Sequence, residues 1–140
     1  MTTSTATIDL PTASAPPVAV RRVTSGLLSA WGLATTDVDD VVLVVHEIFI
    51  NAVEHAAGEA NLELQLTHAD DRLWASVADG SSIHPIIQEL DHRADRGRGM
   101  QLVAAICARW GVDDHHGGKR VWVQINLGRA ADQPAEPMTR

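Results

Sequence analysis

Val41-Val-Leu-Val-Val-His-Glu47-Ile-Phe-Ile-Asn51-Ala-Val-Glu-His55 is the stretch whose reading decides the fold. Apolar side chains at 41–45, 48–50, 52 and 53 surround a helix on nearly every side, and such a helix is buried. One narrow polar line runs through it: Glu47, Asn51, Glu54 and His55 fall at i, i+4, i+7 and i+8. A carboxylate and an amide on a mostly buried helix are costly unless they are partnered. The line is either a solvated strip with incidental capping or the wall of a cleft. In the second case Glu47 acts as a base, and Asn51 offers an amide oxygen to a hard cation such as magnesium.

Working outward, Asp37 is expected to cap this helix, which runs to about Ala57 and is closed by Gly58. Before it, Val20, Val23, Leu27, Leu28 and Trp31 recur at helical spacing from about Val18, with Gly32 as the stop signal. After it, Leu62, Leu64 and Leu66 alternate as a half-buried strand. A turn at 68–72 leads to its hairpin partner, marked by Leu73, Ala75 and Val77. Met100, Val103, Ile106, Cys107 and Trp110 form a third helical stripe. Val121, Val123, Ile125 and Leu127 mark a final strand, turned back at Gly117-Gly118 onto a short strand near Trp110–Val112. Residues 1–14 read as a loose segment with a short edge strand at Ile8 and Leu10, residues 15–127 as the folded domain, and 128–140 as a disordered tail. The expected class is α/β: a two-layer sandwich with three helices on one face of a mixed, mostly antiparallel sheet. The other face, with Trp74 and Trp122, is half exposed or a contact surface.

Composition narrows the function. The 140 residues fit one compact domain. A single cysteine, Cys107, rules out an intramolecular disulfide and suits a reducing cytoplasm. The longest apolar run, 41–45, is far too short to span a bilayer, and the opening MTTSTATIDL has neither a basic leader nor an apolar signal core. Cytoplasmic residence without membrane attachment is therefore expected. A net charge of −7 argues against non-specific binding to nucleic acid. The seven histidines show no paired metal spacing, Cys107 lies on an apolar stripe, and no G-x-S-x-G elbow is present.

Two further features carry chemistry. Gly97-Arg98-Gly99-Met100 opens the third helix, where glycines let backbone N–H groups approach an anion and the helix N-terminus adds positive partial charge. Arg93, Arg96 and Arg98 add local positive charge, although a glycine-rich turn before a helix is often only a turn. Asp79-Gly80 ends a strand, where an acid can accept from an exocyclic amine and a glycine leaves room for a flat base. The same pair is common in simple turns.

In this order, Glu47-Ile-Phe-Ile-Asn51-Ala-Val-Glu-His55, Asp79-Gly80 and Gly97-Arg-Gly99-Met-Gln-Leu-Val resemble the gyrase, chaperone and histidine-kinase type of ATP-binding domain, the Bergerat-type fold. More narrowly, the chain is similar to the small anti-sigma factor serine kinases and their actinobacterial relatives, over roughly residues 15–127. The resemblance implies that Glu47 activates the attacking hydroxyl or water, that Asn51 holds the magnesium ion bridging the ATP phosphates, and that His55 contacts phosphate. It implies that Asp79, with Gly80, reads adenine, that Gly97, Arg98, Gly99 and the Met100 backbone cradle phosphate, and that 81–96 form an ATP lid. The implied partners are a sigma factor and an anti-anti-sigma protein, with a homodimer as a further possibility. Two departures stand out. The family's D-x-G-x-G is replaced by Asp79-Gly80-Ser81-Ser82-Ile83, and Arg120 stands after Gly-Lys where relatives often carry a threonine that assists adenine binding. Two functions follow: a protein-serine/threonine kinase that also binds a sigma factor, or a partner-binding module without phosphoryl transfer.

Overall fold

The computed structural model describes residues 2–11, 16–55, 61–79, 97–115 and 118–128. Along the chain these form β1 (Thr3–Pro11), α1 (Pro17–Ala30), α2 (Thr35–His55), β2 (Asn61–Ala69), β3 (Arg72–Asp79), α3 (Gly97–Ile106), β4 (Arg109–His115) and β5 (Gly118–Asn126). The sheet order is β1-β2-β3-β5-β4. Every neighbouring pair is antiparallel, so the mixed sheet expected from the sequence is corrected to a purely antiparallel one. The three helices cover one face, as a two-layer α/β sandwich requires.

Period-two alternation decides which face is which. Leu62, Leu64 and Leu66 of β2, Leu73, Ala75 and Val77 of β3, and Val121, Val123 and Ile125 of β5 are buried and point to the helices. On the edge strands, Ile8 and Leu10 of β1 and Trp110 and Val112 of β4 extend that floor as partly buried residues. Above it, α2 is the central helix and contacts α1, α3, β3 and β5. That position explains its nearly all-round apolar surface, with Val41, Val44, Val45, Ile48, Phe49 and Ala52 in the core.

Local signals fix several boundaries. Pro17 sits in the first turn of α1, where its missing N–H costs nothing. Gly32, at φ +87°, ends α1: its N–H donates to Ser29 O at 3.0 Å and the Leu33 N–H to Leu28 O at 3.1 Å, the Schellman pattern. Three expectations are revised. Asp37 lies inside the first turn of α2 rather than capping it, and its carboxylate accepts the Gly128 N–H at 3.1 Å, tying the end of β5 to the helix. Trp110 belongs to β4, not to α3, which stops at Ile106. The short N-terminal strand is nine residues long and paired along its whole length with β2. The expected closure of α2 at Gly58 lies outside the described residues, as do 12–15, 80–96 and 129–140.

The opposite sheet face is partly polar. Trp74 and Trp122 are half-buried there, and with Gln65, Thr67, Ser76, Asp113 and Arg120 they line a depression of about 240 Å³. Gly111 lies directly across from Trp122 in the β4–β5 register, and the indole covers it.

Candidate functional site

Along the polar line on α2 the exposure differs from residue to residue. Asn51 is 4% exposed within the apolar packing, Glu47 is half-buried one turn earlier, and Glu54 is exposed. Each of the three is engaged with a partner, as a buried polar side chain must be. Glu47 also lines a groove of about 920 Å³ between α1 and α2, with Arg21, Arg22, Val42, Leu43 and His46. Across this groove Arg21 Nη1 lies 3.2 Å from His46 Nδ1.

Asp79 is the last residue of β3 and is 1% exposed. Its side chain shares the helix-facing side with Leu73, Ala75 and Val77. Leu62 stands opposite it on β2 and Lys119 on β5. The residue is engaged with a partner, and among the described residues no hydrogen bond reaches its buried Oδ2. Such an oxygen fits an incoming N–H donor, which an exocyclic amine supplies.

The Gly97–Met100 stretch is the first turn of α3, as the sequence suggested. For His55, Arg98 and Met100 the structure describes the backbone alone, placing His55 at the end of α2 and the other two in that turn. Gly80 and the expected lid, 81–96, lie outside the described residues. Because α2 packs against both β3 and α3, the elements that carry Glu47, Asn51, Asp79 and the glycine turn meet around one helix.

One departure changes meaning in three dimensions. Arg120 points to the outer sheet face, opposite Asp113 in the register, and so away from Asp79. The β5 residue on the side of Asp79 is Lys119, 6% exposed, which sequence reasoning passed over. The signal was present: alternation backward from Val121, Val123 and Ile125 puts residue 119 on the core face.

Magnesium keeps most of its waters and is held through one or two protein groups plus substrate phosphates, a demand that the Asn51 amide oxygen fits. Among the described residues no cluster of three or more His, Cys, Asp or Glu could hold a metal ion. Nor is any helix among them long and apolar enough to cross a membrane.

A family model, the histidine kinase-like ATPase domain, matches residues 11–125. The chain belongs to that family, and the antiparallel sheet with helices on one side is its fold. Membership defines an ATP-binding domain of the kinase and ATPase type with a regulatory character. Among curated proteins, none matches the chain.

Proposed function

We propose that this chain is a magnesium- and ATP-dependent protein-serine/threonine kinase that regulates transcription in the cytoplasm, phosphorylating an anti-anti-sigma protein and binding a sigma factor. The observation that supports it most is the placing of Asn51, buried on the central helix one turn after Glu47, on an element packed against the strand that ends in buried Asp79. Asp79 accepts from the adenine amino group, while the backbone N–H groups of the first turn of α3, Gly97 to Met100, face phosphate with the positive end of the helix. His55, at the end of α2, adds a phosphate contact. Asn51 would hold the magnesium ion, which supplies charge neutralisation on the phosphates when bound. Glu47 orients the acceptor hydroxyl and takes its proton; its place on the α1–α2 groove leaves room for a protein segment to bring that hydroxyl in.

A second reading, a nucleotide-binding or nucleotide-free partner-binding regulatory module without phosphoryl transfer, is favoured by the Asp79-Gly80-Ser81-Ser82-Ile83 sequence, which lacks both glycines of D-x-G-x-G at their places. Labelled ATP with the protein and an anti-anti-sigma partner separates the two. Transfer to a partner serine or threonine that falls by roughly 10²–10⁴-fold in Glu47→Gln, with ATP affinity little changed, supports the kinase. Sigma-factor binding with no transfer by the wild type supports the module.

A further inference from the structure

The depression on the outer sheet face lies across the sheet from Asp79, and the nucleotide reading makes no use of it. At about 240 Å³ it is smaller than the usual pocket for a drug-sized ligand and suits a single ring. Ser76, 8% exposed, forms part of its lining, and among the described residues no hydrogen bond reaches its hydroxyl. In the register Ser76 stands between Gln65 on β2 and Trp122 on β5, while Trp74 stands beside Thr67. Gln65 Nε2 donates to Thr7 Oγ1 and Thr5 Oγ1 donates to Thr67 Oγ1, both at 3.4 Å, so this polar flank is tied to β1. On the other flank Asp113 and Arg120 are register partners of opposite charge. Glu63, Arg72 and Arg109 share the face but do not line the depression.

This lining sets three demands on an occupant. The carboxylate and the guanidinium offset each other, so neither an anion nor a cation gains from the pair. Asp113 only accepts hydrogen bonds, Arg120 only donates, and the amide and hydroxyls do both, so the occupant must both donate and accept. The two half-buried indoles ask for an apolar surface. A pyranose meets all three, because it is uncharged, carries hydroxyls around its ring and has apolar C–H faces. A nucleotide brings phosphate, which the paired charges do not reward and the net charge of −7 opposes. We propose that the depression binds one pyranose ring of a neutral sugar, a C–H face against an indole and its hydroxyls reaching Gln65 and Ser76 on one side and Asp113 and Arg120 on the other. The site is independent of the nucleotide reading, since no residue is shared with it.

The test is an NMR titration of the indole N–H signals of the full chain without nucleotide, using D-glucose, D-galactose and D-mannose, with open-chain mannitol and adenosine as comparators. Tryptophan-to-phenylalanine variants assign the four signals. At least one hexose should shift Trp74 and Trp122 saturably, with a dissociation constant of roughly 0.1–10 mM. Trp31 and Trp110, packed against the core on the other side, should stay put. Asp113→Asn and Ser76→Ala, each checked for folding by circular dichroism, should weaken binding about fivefold or more, and Trp74→Ala should abolish it where Trp74→Phe retains part. No saturable shift at about 100 mM of any hexose overturns the proposal. So does an equal, linear drift with mannitol, which marks a solvent effect, or unchanged affinity in the Asp113 and Ser76 variants. Tighter binding of adenosine than of the sugars overturns it in favour of a base site, and shifts that follow protein concentration alone overturn it in favour of a second copy covering this face.

Discussion

Asn51 is the residue on which the proposed function depends most at the scale of a single side chain. Its amide is 4% exposed on an apolar helix and is engaged with a partner, as a buried polar group must be. Under the proposed function, Asn51→Leu should abolish magnesium-dependent nucleotide binding in a protein that still folds; a variant that simply unfolds would mark Asn51 as structural. Cys107 makes the contrasting case. It is buried in the core, and burial pushes its thiol up to about 12 from 9.0. The folded protein keeps the thiol proton in a range where the unfolded chain releases it. Its contribution to stability is therefore whole below pH 9 and is lost as the pH rises toward about 12. The free energy of unfolding from urea titrations should fall between pH 8 and 10.5 by up to roughly 2 kcal/mol more in the wild type than in Cys107→Ala. Equal falls would deny the thiol that role.

Among the elements, the β4–β5 pair has a specific weak point. A Cβ added at Gly111 would lie 2.8 Å from Cζ2 and 2.9 Å from Cε2 of Trp122, a rigid ring that cannot bend aside like a flexible chain end. Gly111→Ala should cost about 1–3 kcal/mol by overpacking, and Trp122→Val in the same chain should recover most of it. Strictly additive losses in denaturant titrations would show that the two do not press on each other. The elements also show what a sequence reveals. The apolar helix, its polar line and the alternation of β2, β3 and β5 were legible because each follows a single period over many residues. β1 was legible only at Ile8 and Leu10, since its other positions are threonines, small residues, Asp9 and Pro11, whose strand state comes from pairing with β2. Trp110 fits the spacing of α3 as well as the alternation with Val112, and only the contact of β4 with β5 decides between them. Asp37 looked like a cap because the sequence cannot show Gly128, 91 residues away, reaching its carboxylate. Lys119 escaped notice for a similar reason: its neighbour Asp79 lies across a strand pair, not along the chain.

On the scale of the whole molecule, α2 is the keystone of the core and the proposed wall of the site. Phe49, fully buried beside the Glu47–Asn51 line, should cost about 3–5 kcal/mol as Phe49→Ala, and the loss of nucleotide binding should follow the unfolded fraction rather than precede it. The central claim is that this wall binds ATP through a cation at Asn51. Calorimetric titration with ATP, with and without magnesium, on the wild type and on Asn51→Ala tests it most directly. Saturable binding by the wild type that strengthens with magnesium, together with at least tenfold weaker binding by a still-folded Asn51→Ala that no longer responds to the metal, is the predicted result. No binding by the wild type at millimolar ATP, or equal magnesium-dependent affinity in both proteins, would contradict it.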